Sequence, residues 1–149
     1  MAGITLTFDQ AHVDAIFSTL IHTADDLTPA MRAIGEHLIT TTQTERFDAQ
    51  KDPQGNTWTP LAESTKKHKK HSTILDESSR LRNSIHYDAG PNEVRVGTDV
   101  IYAAIHQLGG QAGRGYRATI PARPYLGISD DDQVRITEIL QDYLAQAVK

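Results

Sequence analysis

Residues 84–98 read Ser-Ile-His-Tyr-Asp-Ala-Gly-Pro-Asn-Glu-Val-Arg-Val-Gly-Thr, and this stretch decides the fold. The turn-forming run Ala-Gly-Pro-Asn separates two segments, 84–88 and 93–98, that are typical of β-strands. Val94 and Val96 alternate with polar neighbours, so we expect both side chains to face the core. The stretch therefore predicts an antiparallel hairpin in the middle of the chain.

Amphipathic helices are predicted before this hairpin. Apolar residues recur at helical spacing over residues 10–24, which predicts the first helix. Thr28 before Pro29 is typical of an N-cap followed by proline at the first helical position. A second helix is therefore expected to run from there to about Ala49.

The C-terminal helix has the clearest signals in the chain. Ser129 is placed to cap it, and Asp132 stands at the capping-box position. Its predicted buried stripe consists of Ile136, Ile139, Leu140, Tyr143 and Leu144.

Shorter elements are expected between the main helices. They are a strand over 4–8, polar helices over 62–71 and 78–83, a helix over 101–108 and a strand over 116–120. Together these elements predict the α+β class, with a small, mostly antiparallel sheet packed with about three main helices. The whole chain, residues 1–149, is expected to form a single domain.

Two loops are predicted to be mobile. The first, about residues 50–61, is rich in turn formers and holds the chain's single tryptophan, Trp58. Because a tryptophan is rarely left wholly in water, we expect Trp58 to attach this loop to the body of the domain. The second loop, residues 109–115, has four glycines in seven residues and is expected to become ordered on assembly.

The composition excludes several classes of protein. No apolar run approaches the roughly 18 to 20 residues that a membrane-spanning helix needs. The N-terminal residues lack a basic region followed by an apolar one, so we expect no secretory signal and no membrane partner. The absence of cysteine excludes disulfides and thiolate chemistry and fits a reducing compartment.

Charge is distributed unevenly along the chain. The formal net charge is -4, which argues against a polyanion as partner. However, residues 1–63 carry 3 basic and 9 acidic side chains, whereas residues 64–123 carry 10 basic and 5 acidic ones. Residues 124–149 carry 2 basic and 5 acidic side chains. A basic middle third therefore lies between acidic ends.

No residue pattern predicts catalysis. The sequence has neither a nucleophile-elbow motif nor a phosphate-loop lysine motif. His68 and His71 could share a helical face, but the surrounding lysines repel a metal cation. The carboxylates of residues 130–132 could bind a divalent cation, although helix capping is sufficient to explain them. We therefore predict a protein that is not an enzyme and holds no metal or cofactor.

The basic side chains of the middle third have two competing explanations. They could contact DNA phosphates, or they could form a solvated face or a surface complementary to acidic neighbours. In a ring of identical subunits, the basic stretch of one copy could meet the acidic stretch of the next. The candidates are Lys66, Lys67, Lys69, Lys70, Arg80, Arg82, Arg114 and Arg117.

Five short motifs follow one another in the sequence. They are 52–61 (Asp-Pro-Gln-Gly-Asn-Thr-Trp-Thr-Pro-Leu), 79–85 (Ser-Arg-Leu-Arg-Asn-Ser-Ile), 94–98 (Val-Arg-Val-Gly-Thr), 102–110 (Tyr-Ala-Ala-Ile-His-Gln-Leu-Gly-Gly) and 120–127 (Ile-Pro-Ala-Arg-Pro-Tyr-Leu-Gly). This succession, over roughly residues 45–145, resembles the phage virion morphogenesis family, the tail-completion proteins of Mu-like and P2-like contractile-tailed phages and prophages. The chain departs from that family at Ser79, where glycine is usual, and at Leu108, where phenylalanine is usual. Serine at position 79 predicts that this turn needs no positive φ.

The resemblance implies a structural role in finishing the tail at its head-proximal end and in joining it to the head. It implies a homo-oligomeric ring, commonly a hexamer, with the tail tube, the sheath and the neck or head-completion proteins as partners. The implied location is the neck region of the virion tail, after assembly in the cytoplasm of the bacterial host. Residues expected at a subunit or tail-tube interface are Trp58, Leu61, Tyr102, His106, Gln107, Arg123 and Tyr125.

Several alternatives stay open at this point. Trp58 and Tyr102 could belong to the core, and Arg123 could pair within its own subunit. A neck or head-completion adaptor that contacts DNA in the portal channel is the rival function. An enzyme such as a nuclease would require clustered carboxylates or a histidine–carboxylate pair, and no spacing in the sequence indicates one.

Overall fold

The computed structural model describes residues 9–149 of the chain. The helices are α1 Gln10–Ala24, α2 Thr28–Thr41, α3 Glu63–His68, α4 Arg80–Asn83, α5 Ala103–Leu108 and α6 Asp130–Gln146. The strands are β1 His86–Ala89, β2 Val94–Gly97, β3 Gly110–Ala112 and β4 Ala118–Ile120. Within the described residues these elements form one compact α+β domain with two antiparallel two-stranded sheets, which confirms the predicted class. The strand predicted over residues 4–8 lies outside the described residues.

The hairpin predicted from residues 84–98 is present as β1 and β2. Tyr87 pairs with Val96, and the turn closes with a 2.8 Å hydrogen bond from the Gly90 amide to the Glu93 carbonyl. The hairpin packs against α2 at Gly35, where a Cβ atom would lie only 2.5 Å from the Tyr87 ring. Only glycine therefore allows this close approach of the helix to the hairpin.

The start of α2 corrects one prediction. Thr28 is the first residue of the helix rather than its cap, because its amide and hydroxyl both bond the carboxylate of Asp26. These hydrogen bonds lower the pKa of Asp26. Beyond Thr41 the helix continues as a π-helical segment, Thr42–Asp48, which ends one residue before the predicted Ala49.

The hydrophobic core lies between the π-helical segment, the 50–61 loop, α4 and α5. Its buried members are Phe47, Trp58, Leu81, Ile85, Ala103 and Tyr125. The Phe47 ring centroid lies 5.7 Å from that of Trp58 and 5.3 Å from that of Tyr125. Val96 is half-buried against this cluster, as its position on the hairpin predicts.

The C-terminal helix α6 confirms its predicted cap and corrects its predicted burial. Ser129 accepts a hydrogen bond from the Asp132 amide, and Asp132 accepts one from the Ser129 amide, which completes the capping box. The apolar stripe Ile136, Ile139, Leu140, Tyr143 and Leu144 is only half-buried. The reason is that α6 packs against α2 and, less extensively, against α1, and α1 leaves Phe17 and Ile21 largely exposed.

Two further predictions are corrected near the loops. Ser79 has a φ of 56°, so this turn does require a positive φ, and the Asp76 carboxylate stabilises it by accepting from the Ser79 amide and hydroxyl. The 109–115 segment is not wholly a loop, because β3 pairs with β4 from Gly110 to Ala112. Its predicted mobility stays a prediction.

The predicted boundaries of the short elements also change. The helix predicted over 62–71 is Glu63–His68, and the helix predicted over 78–83 is Arg80–Asn83. The helix predicted over 101–108 begins at Ala103, and the strand predicted over 116–120 begins at Ala118. No helix within residues 9–149 is both long enough and apolar enough to cross a membrane.

Candidate interaction surfaces

Trp58 fixes the 50–61 loop to the body of the domain, as the sequence predicts. Its indole nitrogen donates a 2.8 Å hydrogen bond to the Pro124 carbonyl, and its amide donates to the Gln50 carbonyl at 2.9 Å. A bridge between Lys51 and Thr57 closes the loop on itself. The loop is therefore held at its base by backbone pairing and on its far side by a buried aromatic side chain.

Arg123 holds the other end of the same loop. Its guanidinium donates to the Thr59 carbonyl at 2.7 Å and to the Pro60 carbonyl at 3.0 Å, and its amide donates to the His106 carbonyl. The side chain is buried, and burial lowers the pKa of Arg123. No carboxylate within residues 9–149 pairs with it, so within the subunit the guanidinium is bonded to main-chain carbonyls.

Gln107 ties α5 to the segment that follows Arg123. Its side-chain oxygen accepts from the amides of Tyr125 and Leu126, and its side-chain nitrogen donates to the Leu126 carbonyl. The Tyr125 hydroxyl donates to the Ala103 carbonyl at 2.8 Å, and burial raises the pKa of Tyr125 to about 12. These contacts are all internal to the subunit.

The seven residues predicted at a subunit interface thus fall into two groups. Trp58, Arg123 and Tyr125 are buried and bonded within the subunit. This favours the core alternative that the sequence left open for Trp58. The Gln107 side chain is also committed to internal hydrogen bonds. The remaining three, Leu61, Tyr102 and His106, are partly exposed and line one groove.

We call this surface the basic groove, a cavity of about 890 Å³ between the loop, α3, α4, α5 and β4. Its apolar lining includes Leu61, Leu75, Tyr102, Ile120 and Pro121. Its charged lining is formed by Lys69, Asp76, Glu77, Arg80 and Arg123. The Asp76 carboxylate accepts a hydrogen bond from the Ser79 hydroxyl, and the Glu77 carboxylate lies 3.8 Å from the Lys69 ammonium group. Arg80 is therefore the exposed cation of this groove that has no ionic partner among the described residues.

His106 stands in the wall of the basic groove. Its ring packs edge-on against Tyr102, and its Nδ1 atom is buried without a hydrogen-bond partner among the described residues. Burial lowers the pKa of His106, and the positive charges of Arg123 and Lys69 lower it further. Burial is thus the larger cause, and the cations that line the groove further disfavour the protonated imidazole.

The basic residues predicted from the sequence differ in whether they have partners within the subunit. Lys69 donates to the carbonyls of Thr73 and Asp76, and Arg82 pairs with Asp48 at 3.1 Å. Lys66 pairs with Glu63 at 2.8 Å. Across the part of the chain that the structure describes, those without an ionic partner are Lys67, Lys70, Arg80, Arg114 and Arg117. Of the eight, only Lys69 and Arg80 line the basic groove.

A second cavity, which sequence reasoning missed, lies beside the start of α6. We call it the acidic groove; its volume is about 620 Å³. Its carboxylates belong to Glu45, Asp52, Asp130 and Asp131, and Ile128 is its exposed apolar side chain. It also contains two cations, Arg46 and Lys51. The 50–61 loop contributes residues 51–55 to this groove and residues 59–61 to the basic groove.

A buried polar cluster, also missed by sequence reasoning, anchors α6 beneath the acidic groove. Asp132 accepts from Arg46 at 2.6 Å and contacts the His37 Nε2 atom at 2.8 Å. Burial raises the pKa of Asp132, but hydrogen bonds from Ser129 and Arg46 outweigh burial and hold it at about 2. The capping-box signal located Asp132 in the sequence, whereas nothing there pointed to Arg46.

Within residues 9–149, no three side chains of the histidine, aspartate or glutamate type are placed to hold a metal ion. The histidines and carboxylates that the sequence raised as metal candidates, including residues 130–132, are thus not assembled as a group in this region.

Comparison with known proteins identifies the relatives of this chain. The profile of the phage virion morphogenesis family matches residues 8–145. This chain belongs to that family. The family is described by phage virion morphogenesis, so the protein has a structural role in phage assembly and is associated with the virion.

Three curated relatives extend this result. Mu-like prophage FluMu G protein 2 of Haemophilus influenzae is 44% identical over 80 residues, which is 54% of this chain and 58% of that protein. Putative capsid assembly protein G of Escherichia phage Mu is 30% identical over 125 residues, 79% of this chain and 80% of that protein. Mu-like prophage FluMu G protein 1 of Haemophilus influenzae is 29% identical over 106 residues, 67% of this chain and 68% of that protein. No solved structure matches the chain.

The family match includes both grooves of this morphogenesis protein. Their lining residues fall between Thr44 and Asp131, inside the matched region 8–145. The chain spans a little over half of FluMu G protein 2.

Proposed function

We propose that this chain is a non-enzymatic tail-completion, or tail-terminator, protein. It forms a homo-oligomeric ring at the head-proximal end of the tail and enables the tail to join the head. Its partners are copies of itself, the tail tube and sheath, and the neck proteins above. Membership of the virion morphogenesis family and the motif order over residues 52–127 support this assignment.

The observation that supports the proposal is the exposure of large apolar side chains to solvent. Ile101 is 99% exposed, Leu108 76% and Tyr116 73%. Exposed apolar side chains that gather around one part of a fold are typical of surfaces that other proteins cover. Ile101 lies just before α5, and Leu108 is its last residue. This helix also forms one wall of the basic groove. A ring of subunits would remove this region from contact with water.

The first experiment removes the gene from the phage or prophage and examines the products by negative-stain microscopy. We expect heads and tails that remain separate, and complementation with the intact gene restores joined virions. Leu108→Asp should fail to complement, because it places a charge on a surface that must be covered. Gln111→Asp, an exposed polar position nearby, is the matched control. Normal joined particles after deletion would overturn the proposal.

A second function, a neck adaptor that contacts DNA, is supported by free cations on and just after α3 and in the connection between β3 and β4. Lys67 and Lys70, with Arg114 and Arg117, have no ionic partner within residues 9–149. Contact with DNA phosphates would give binding to duplex DNA that falls steeply with salt. Lys67→Glu with Lys70→Glu should abolish such binding, whereas Arg135→Glu on α6 should not. Binding that is absent, or insensitive to salt, excludes this function.

A further inference from the structure

The basic groove combines an apolar lining with cations that exceed its carboxylates. Lys69, Arg80 and Arg123 face two carboxylates, one of which is bonded to Ser79. The guanidinium of Arg80 is exposed and has no ionic partner in residues 9–149. Arg123 adds a buried positive charge that is bonded only to carbonyls. The groove is therefore suited to a segment in which an apolar side chain stands next to a carboxylate.

The acidic groove carries such a segment at its rim. Ile128 is 49% exposed, and the carboxylates of Asp130 and Asp131 are exposed two and three residues later without an ionic partner in the described chain. The capping box between Ser129 and Asp132 fixes the backbone of this segment. Because the segment is already ordered, little conformational entropy is lost when it binds.

We propose that the basic groove of one copy binds residues 128–131 of a second copy, head to tail. Ile128 enters the apolar lining next to Tyr102, and Asp131 pairs with Arg80. A guanidinium suits this role, since its planar donors bind a carboxylate through two parallel hydrogen bonds. This inference rests on the proposed function, because it names the contact by which the ring would be built.

The two surfaces can act in the same subunit. The basic and acidic grooves share no lining residue, so each copy presents both at once. A contact between two different surfaces repeats from copy to copy and closes into a ring when the rotation between copies allows it. The 50–61 loop lines both grooves, so consecutive contacts are connected through a segment held by Trp58 and Arg123.

The decisive test uses charge reversal in the full chain. Arg80→Glu and Asp131→Arg should each weaken self-association by about tenfold or more, because each sets like charges against each other. The double variant should recover association. A mixture of the two single variants should also recover it, because the carboxylate introduced by Arg80→Glu then meets the guanidinium introduced by Asp131→Arg, while their unaltered partners still match. Arg135→Glu, on the same helix as Asp131 but outside both grooves, is the control.

Association is measured by sedimentation velocity on the chain alone and by microscopy after addition to tails that lack this protein. If either single variant assembles like the unaltered chain, or the mixture does not recover, the head-to-tail contact is wrong while the ring remains. If the unaltered chain fails to associate both alone and on tails, both this contact and the proposed ring are overturned. A change in helix stability at position 131 cannot explain recovery in the mixture.

Discussion

Two regions of this protein each bury an arginine, and they differ in whether a carboxylate neutralises its charge. Arg46, in the π-helical segment, is 1% exposed and pairs with the carboxylate of Asp132 in α6. Arg123, between the 50–61 loop and α5, is 6% exposed and bonds only to main-chain carbonyls. The first region neutralises its charge internally, whereas the second leaves a positive charge beside an open groove. A buried ion pair of the first kind stabilises the fold, whereas an unneutralised cation of the second kind adds positive charge to the groove that it lines.

The largest expected effect comes from removing the internal counter-charge. Asp132→Ala should lower the free energy of unfolding by about 4 kcal/mol, since it leaves Arg46 buried without a carboxylate and removes the capping box. Asp131→Ala, one residue away and exposed, should cost no more than about 0.5 kcal/mol. Urea unfolding measures both. Equal losses would mean that neither the ion pair with Arg46 nor the capping box at Asp132 stabilises the fold.

The same substitution at the two arginines tests the comparison directly. Arg46→Met should cost about 3 kcal/mol because the Asp132 carboxylate remains buried without its cation. Arg123→Met should cost only about 1 kcal/mol, because the carbonyls of Thr59 and Pro60 belong to exposed residues that water can reach. Urea unfolding of the two variants side by side gives the difference. A larger loss at Arg123 would reverse the assignment of the two regions.

The pKa of His106 measures the effect of the uncompensated charge of Arg123 more directly. Burial, Arg123 and Lys69 lower the pKa of His106 from its usual 6.5, so the unfolded chain binds the proton more tightly. The stability that this residue contributes is therefore complete above about pH 6.5 and is lost as the pH falls through the lowered value. Nuclear magnetic resonance of the imidazole should show its pKa rising in Arg123→Met. An unchanged pKa would mean that the charge of Arg123 does not reach the groove.

Acid should destabilise the region around Arg46 and Asp132 only at a much lower pH. The pKa of Asp132 is about 2 against a usual 3.8. The stability from this carboxylate is therefore present above about pH 3.8 and is lost as the pH falls toward 2. Unfolding followed as a function of pH should separate two phases, one that disappears in His106→Gln and one that disappears in Asp132→Ala. A single phase that is unaffected by both variants would contradict this assignment.

The smallest expected effect concerns the two loops predicted to be mobile. The 50–61 loop is held by Trp58 and Arg123, so its bonded amides should be protected from hydrogen exchange in the isolated subunit. Residues 109–115 pair with β4 only from Gly110 to Ala112, and residues 113–115 are exposed. We expect the protection of this segment to increase on assembly. Equal protection of residues 109–115 in the free and assembled protein would contradict the prediction that they become ordered.

Local features of the fold are predictable from the sequence to a useful extent. The hairpin over residues 84–98, the cap at Ser129 and the attachment of the loop by Trp58 depend on turn formers, on capping groups a few residues apart and on one large aromatic side chain. The pattern misplaces Thr28 by one position because Asp26 competes for its hydrogen bonds. It also misses the positive φ of Ser79, which depends on a contact with Asp76 that no single-residue preference reveals.

The candidate surfaces are less predictable. Basic side chains can be counted along the sequence, but their partners cannot, and Lys69 and Arg82 are bonded to their own subunit. Periodicity predicts a buried stripe on α6 because it identifies an apolar face without saying how much of that face a neighbour covers. The exposure of Ile101 and Leu108 is hidden for the same reason.

The sequence by itself determined the class of the fold, its main helices and central hairpin, and the family to which the chain is similar. These depend on periodicity, capping and motif order, which act over a few neighbouring residues. Only the tertiary structure decided that Arg46 meets Asp132 across a separation of 86 residues, that Arg123 has no such carboxylate within residues 9–149, and that the loop lines two grooves. Such pairings depend on how distant segments pack, because the energy of a buried charge depends on which groups surround it in space.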